Sequence, residues 1–469
     1  MNAISTPIKA LQSQATNVIL HTFDWPYSRI ADYASDIAKA GFSAVLVSPP
    51  MKSLKSETGT PWWQRYQPQD YRVIDNQLGD TQDFKAMIAA MQAVNLQVYV
   101  DVVFNHMANE EDINDGLIYP NLKVLANYQQ NHERYRELTL FGDLSQPLFN
   151  ANDFVLAFPI KDWTDPWEVQ HGRISNGDRD PGLPTLKYSA KVVNEQKAYL
   201  KALKDLGVQG FRIDAAKHMT MEHLHQVWDE EICKDCHIFG EIITDGGATK
   251  EEYELFLQPY LANTYLGAYD FPLFHTLKAT LTEKDGNMAS LINPYSLGSA
   301  LAHDRAITFA ITHDIPNNEV FLDQVMPEAA ERLAYCYLLG RDGGVPLIYA
   351  DLDTSGITNH AKHPRWFDSW QDPQLQQMIH FHNLMHGLPM KVISHDNDCL
   401  LFARVDAQDQ QRIHGLVALN KGDKAATMRL PVKVRDELLK LDGVTVNTEL
   451  QTLTLAPSTC AMLFSEQIQ

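Results

Sequence analysis

The sequence predicts an α/β protein built on a closed (β/α)8 TIM barrel, and three observations carry that expectation. Eight short, nearly continuous apolar runs are spread over about 370 residues and alternate with amphipathic stretches, the pattern of a parallel sheet covered on both faces. The third and fourth runs are about a hundred residues apart, where a helix and its turns need roughly thirty, so a subdomain is inserted there. After about residue 385 the period changes to short alternating runs, the signature of an antiparallel β-domain. The expected units are a barrel over 1–105 and 190–385, an insertion over 106–189 and a C-terminal β-sandwich over 386–469.

The elements follow in order. VILHTF (18–23) is the first apolar run. In RIADYASDIAKAGFSAVLVSPP, Ile30, Tyr33, Ile37 and Ala40 recur at helical spacing, Gly41 suits the C-terminal cap, and 44–47 reads as a buried strand. DTQDFKAMIAAMQAVNLQVYVDVVFNH repeats the unit, with Phe84, Met87 or Ile88, and Met91 on one helix face before a strand over 98–104. AKVVNEQKAYLKALKDLGVQGFRID is a third copy: Val193, Leu200 and Leu203 on the helix, Gly207 at its end, then a strand finishing at Asp214. Runs at 237–243, 267–273, 306–314 and 344–351 complete the eight. The insertion, rich in Asn, Asp, Gly and Pro with scattered aromatics, suits an irregular subdomain on the C-terminal face of the barrel. CLLFARV, IHGLVALN, ATMRLPV, TVNTELQTLTLAP and CAMLF supply the terminal sheets.

Composition narrows the function. Thirty-nine basic against 59 acidic side chains give a net charge of -20, which repels phosphate backbones and anionic membrane surfaces, so neither nucleic acid nor a membrane is an expected partner. The first 25 residues lack a basic start followed by an apolar stretch, and no window approaches ~18 uncharged apolar residues. The expectation is a soluble, cytoplasmic protein. Five cysteines make no disulfide framework. Cys233-Lys-Asp-Cys236-His237 spells the CxxCH of a haem attachment site, but it runs straight into the apolar strand HIFGEI, and Cys236 reads as an ordinary thiol.

Barrel enzymes carry their chemistry at the C-terminal ends of strands. Asp214 ends the fourth run, Glu241 lies in the fifth and Asp314 ends the seventh, so three carboxylates face one mouth. Two carboxyls across an acetal are what its cleavage needs: one protonates the leaving oxygen while the other meets the developing oxocarbenium ion. Crowding raises the pKa of one of them, as a proton donor at neutral pH requires. Arg212, two residues before Asp214, projects from the same side of the strand and can hold that carboxylate ionised and oriented. Lys217 and His218, just past the strand, can donate to sugar hydroxyls.

DVVFNH (101–106), GFRIDAAKH (210–218), GEII (240–243) and FAITHD (309–314) resemble, in order, the four signature segments of the family 13 glycoside hydrolases, the α-amylase family. PWWQRYQPQDY (61–71) is similar to the WWxRYQP segment of animal-type α-amylases. The likeness covers the barrel, from 15 to about 350, and reaches the insertion only in pieces. It implies Asp214 as nucleophile, Glu241 as general acid and then base, and Asp314 as the carboxylate that grips sugar hydroxyls. It also implies His106 and His313 as hydrogen-bonding partners of the sugar being cleaved, Tyr66 stacking beneath that sugar, and Trp62, Trp63 and Gln67 lining the donor side. Aromatic faces suit the apolar faces of glucose.

Departures from the family pattern bear on ions. The family often ties its insertion to the barrel with calcium, through positions matched here by Asn105 and by the carbonyls of Arg173 and His218. Thr185 stands where an aspartate is usual, which weakens a hard-cation site, although Asp178 or Asp180 could substitute. The second motif hints at chloride on Arg212, but Thr312 stands where chloride-dependent relatives have asparagine. The leading expectation is an endo-acting hydrolase of α-1,4 bonds in starch, glycogen or maltooligosaccharides. The alternatives are a maltooligosaccharide-trimming or transglycosylating member and a glucan-binding protein without chemistry.

Overall fold

The structure is a computed structural model, and it describes residues 17–56, 59–110, 116–175, 177, 180–435 and 443–466. Eight parallel strands close into a barrel: β1 (Ile19–Thr22), β2 (Ala44–Val47), β3 (Gln97–Val103), β4 (Gly210–Asp214), β5 (His237–Gly240), β6 (Gly267–Tyr269), β7 (Ala306–Phe309) and β8 (Val345–Ala350). β1 pairs with both β2 and β8, so the ring has no edge. The strands are buried almost throughout, as their apolar composition requires, and two registers matter for the mouth: Asp101 lies opposite Arg212, and Val103 opposite Asp214.

Several of the predicted runs are shorter as strands, for local reasons. β5 stops at Gly240, so Glu241 sits one residue beyond it. β6 stops at Tyr269 because the Asp270 side chain accepts from Leu273 N and caps a helix (Phe271–Thr282) with Pro272 in its first turn. β7 stops at Phe309, and Asp314 opens a short helix (Asp314–Asn317) rather than ending the strand. The single helix expected over 30–40 is two, Tyr27–Asp32 and Ala34–Lys39, hinged at Tyr33. The helix before β4 matches its pattern: Ser189 caps its start, and Gly207, at φ +111°, ends it in the left-handed region that favours glycine.

Among the described residues, the insertion between β3 and β4 carries three α-helices, Leu122–Gln130, His132–Leu138 and Pro166–His171, in irregular surroundings. Backbone bonds from Met107 N to Pro184 O (3.0 Å) and from Leu186 N to Asn105 O (2.9 Å) stitch it to the barrel mouth. After the barrel come two antiparallel sheets. One holds β9 (Met390–His395), β10 (Cys399–Val405), β11 (Ile413–Asn420) and β15 (Thr459–Phe464), and the other β12 (Ala426–Arg429), β13 (Val444–Asn447) and β14 (Thr452–Leu455). Their shared core is aliphatic, with Leu401, Val405, Leu416, Leu453, Leu455 and Leu463 buried together. Arg404 fastens β10 to the barrel by donating to the carbonyls of Gly340, Arg341 and Met385.

Cys233 and Cys236 are both buried and unbridged, with Cys233 Sγ donating to Trp228 O, so the CxxCH string is packing. Among the described residues no helix is long and apolar enough to cross a membrane.

Candidate active site

The mouth is organised around one cation. Arg212, fully buried on β4, donates from Nη1 to Asp214 Oδ1 at 2.8 Å and to both carboxylate oxygens of Asp101 at 2.8 and 2.9 Å. From Nη2 it donates to Glu241 Oε1, and Asp314 Oδ2 lies 3.9 Å from the same nitrogen. The Tyr269 ring sits beside the guanidinium, 5.6 Å from its carbon. Strand alternation brings Arg212 and Asp214 to the same side, and the neighbouring strand supplies Asp101.

The link from β4 to Glu241 uses an uncommon backbone. Ala215 has φ +49°, a left-handed conformation that costs a non-glycine residue free energy and clusters at functional sites. It lets Ala215 N donate to Glu241 Oε2 at 3.2 Å, while Lys217 N donates to Glu241 O at 3.2 Å and Glu241 N to Ile213 O at 3.0 Å. Glu241 is thereby fixed by three bonds to one short segment, one of them to its carboxyl.

Four carboxyls face one guanidinium here, and if all were ionised three negative charges (4 − 1) would lie uncompensated in a buried space. Burial pushes the three aspartates up. Asp101 rises to about 6 through desolvation, against the pull of Arg212. Asp214 and Asp314 rise well above the ordinary carboxylate range, from burial first and then from the charge of Glu241, again opposed by Arg212. Asp101, Asp214 and Asp314 titrate together, so a proton gained or lost there belongs to the cluster and not to one carboxyl. The nearby histidines move the other way. Burial lowers His106 to about 4 and His313 well below its usual value, so both are neutral donors or acceptors for hydroxyls.

An aromatic wall flanks the carboxyls. The His313 ring is stacked between Phe23 (4.6 Å) and Tyr66 (5.1 Å), and Trp62 meets Tyr66 edge-on at 5.8 Å. The Tyr66 hydroxyl donates to Asp101 Oδ2 at 3.0 Å, and its carbonyl bonds His106 Nε2 at 3.0 Å. His313 Nε2 lies 3.4 Å from Asp314 Oδ2. Asp214, Glu241, Asp314, Arg212, His106, His313, Trp62 and Tyr66 thus share one neighbourhood, and Trp63 is exposed at its edge. Gln67 and Lys217 are engaged by protein: Gln67 Oε1 accepts from Asn109 N, and Lys217 Nζ donates to Glu252 Oε1 at 2.9 Å above the Phe256 ring. His218 donates through Nδ1 to Val169 O at 2.9 Å.

Sequence reasoning missed Asp101, Tyr269 and Glu252. Asp101 carried a usable signal, an ionisable residue alone inside the apolar run QVYVDVV.

The expected calcium ligands are Asn105, Arg173 and His218, all contributing neutral oxygens. At the position where a carboxylate would complete them, the Thr185 hydroxyl donates to Gly172 O at 2.8 Å. Asp180 accepts from Asn109 Nδ2 (2.6 Å) and Gly182 N (2.8 Å), and Asp178 lies outside the described residues. Among the described residues no group of three or more His, Cys, Asp or Glu is arranged to hold a metal. Among the described residues the expected donor set holds no carboxylate, which weakens it for a hard divalent cation.

A barrel whose mouth holds paired carboxyls on an arginine, walled by aromatic rings, has the make-up of a glycoside hydrolase. Comparison with known proteins narrows the class. The profile described as "Alpha amylase, catalytic domain" matches residues 30–320. An α-amylase of Aeromonas hydrophila is 47% identical over 407 residues, covering 87% of this chain and 84% of its own. One from Thermomonospora curvata is 28% identical over 93% of this chain and 69% of its own. Among solved structures, α-amylase I of Eisenia fetida superposes with a TM-score of 0.74 over 96% of this chain and 97% of its own, at 20% identity. The chain belongs to the α-amylase family.

Proposed function

We propose that the protein hydrolyses α-1,4-glucosidic bonds of starch, glycogen or maltooligosaccharides with retention of anomeric configuration. One observation carries the reading: Arg212 holds Asp214 and Glu241 on adjacent nitrogens of a single guanidinium, so both carboxyls reach one glucosyl unit. Asp214 attacks the anomeric carbon. The bond from that carbon to the glycosidic oxygen breaks as Glu241 gives the oxygen its proton, and the product is a glucosyl ester of Asp214. Water then enters, Glu241 takes its proton, and the hydroxide displaces Asp214. Asp314 with neutral His313 and His106 can grip hydroxyls of that sugar, and Tyr66 and Trp62 offer ring faces. The relatives named α-amylase support the substrate class.

Proton NMR of freshly cut maltooligosaccharides tests the mechanism: the α-anomer appears first, and a β-anomer would refute double displacement. A single fixed product from every chain length would point instead to the trimming or transglycosylating alternative.

A further inference from the structure

The joint between the barrel and the C-terminal sheets is drawn close at one helix, Glu328–Gly340, which packs on β11 and β15. A Cβ added at Gly340 would stand 2.8 Å from Val417 Cγ2 and 3.2 Å from Phe402 Cζ, so the helix backbone approaches the sheet at glycine distance there. The approach is secured on both sides. Tyr337 meets Phe402 edge-on at 6.1 Å, and Arg404 of β10 donates to the carbonyls of Gly340 and Arg341 at 2.9 and 2.8 Å.

Two cysteines occupy matching places across this joint. Cys336 lies four residues before Gly340 and so on the same helix face, about 6 Å along it. Cys460 lies two residues before Met462 and on the same face of β15, again about 6 Å away, and Met462 pairs with Val417, the residue set against Gly340. The two steps run the same way, because the Cys460 thiol is a hydrogen-bonding neighbour of Cys336. Cys336 is fully buried and Cys460 nearly so, both within the barrel's own apolar cluster. Other thiols face elsewhere: Cys399 lies between the two sheets with Sγ 3.6 Å from Asn420 Oδ1, and Cys233 Sγ donates to Trp228 O.

We propose that Cys336 and Cys460 are a disulfide-forming site, which a small-molecule disulfide such as oxidised glutathione converts into a covalent bolt between the barrel and the last strand of the sheets. One cysteine, as thiolate, attacks the reagent's S–S bond, giving a mixed disulfide and one released thiol. The second cysteine then displaces the other half, so two cysteine thiols are oxidised, one reagent disulfide is reduced, and both protons end on the released thiols. Burial first, and then the neighbouring thiol, hold the Cys336 proton well above the ordinary thiol range, so the exchange proceeds while the joint is open. In reducing surroundings the pair stays as thiols. The bond closes a span of 124 residues (460 − 336), which takes much freedom from the unfolded chain.

The whole protein is incubated with oxidised glutathione, once folded and once during refolding from urea, and then cut with trypsin in the absence of reductant. The expected product joins fragment 333–341, which carries Cys336, to fragment 441–469, which carries Cys460, and it separates on reduction. The linked protein should melt higher than its reduced form by roughly 5 °C. Cys460→Ala, which removes a thiol without adding a polar atom, should yield no such product and melt alike with and without the reagent. Absence of the joined fragments after both treatments overturns the proposal. So does a link confined to Cys233 and Cys236, or a linked protein that melts no higher than the reduced one.

Discussion

The barrel mouth and the core between the C-terminal sheets are both buried, and they are filled in opposite ways. The sheets enclose Leu401, Leu416, Leu453, Leu455 and Leu463, side chains with no polar atom to satisfy. The mouth encloses an arginine, four carboxyls and several polar atoms with no protein partner, among them Arg212 Nε, Tyr269 Oη, Thr312 Oγ1, His313 Nδ1 and both ring nitrogens of His21. Buried charges and unpaired polar groups destabilise a fold, while buried methylenes stabilise it. The difference teaches that stability and chemistry reside in separate parts of one chain. Substitutions in the two regions should therefore fall on different measurements.

The largest separation is expected at Glu241. Glu241→Gln removes the proton donor and leaves the shape, so kcat should fall by at least about 10²- to 10⁴-fold, with further loss because a retaining mechanism needs the group twice. Thermal melting should not drop, because a crowded acid has been removed. A variant with near-parental kcat would dismiss Glu241 as the acid.

Arg212→Leu should break the pattern, since it leaves the mouth's carboxyls without their cation. Removing one partner of a buried ion cluster typically costs about 3–5 kcal/mol. Here activity and stability should fall together, measured by turnover and by urea unfolding. A stable but inactive protein would mean that the carboxyls simply take up protons and need no arginine for folding.

Leu453→Ala restores the separation from the other side. The residue is fully buried on β14, and a leucine truncated in a core costs about 2–5 kcal/mol. The unfolding free energy should fall by that amount while kcat per folded molecule stays at the parental value. A proportionate loss of kcat would show that the sheets and the mouth are coupled.

Much of this contrast could be read from the sequence, and the unread part has physical causes. Alternation within FRID was enough to put Arg212 and Asp214 on one side. The ends of β5, β6 and β7 were read too far along, because a strand run and a capped turn such as Asp270-Phe271-Pro272 have similar apolar content. Asp101 was hidden because its role depends on a register with β4 across more than a hundred residues. The Lys217–Glu252 pair and the Gln67–Asn109 bond join residues 35 and 42 positions apart through loops, which no local pattern reveals.

The barrel's burial of titratable groups also sets a pH signature. His237, at the start of β5, is lowered to about 4 by burial, against an ordinary 6.5. Its folded pKa is depressed, so the unfolded chain binds more protons between those values. The contribution is thus intact above about pH 6.5 and is lost as pH falls toward 4. His237→Gln removes that uptake. The stability gap between parent and variant should shrink on acidification across this window, by on the order of 3 kcal/mol at most. Unfolding curves at pH 7 and pH 4.5 measure it, and a gap independent of pH would mean that the imidazole is solvated.

The smallest effect concerns the seam between the barrel and its insertion, where a hydroxyl replaces a carboxylate. Thr185 Oγ1 donates to Gly172 O, and His106 bridges to the Thr185 backbone, so the seam is closed by protein hydrogen bonds. Thr185→Asp would set a carboxylate against that carbonyl. In a chelator the variant should lose about 1 kcal/mol, the worth of one hydrogen bond. With millimolar calcium the variant should regain stability, as a ligand bound only to the folded state stabilises it by mass action, because Asn105, Arg173 and His218 can then be joined by an anionic oxygen. The parent should melt at the same temperature in calcium and in chelator. If instead the parent itself loses stability in chelator, the seam already binds a cation, and the hydrogen bond of Thr185 is not what holds the insertion in place.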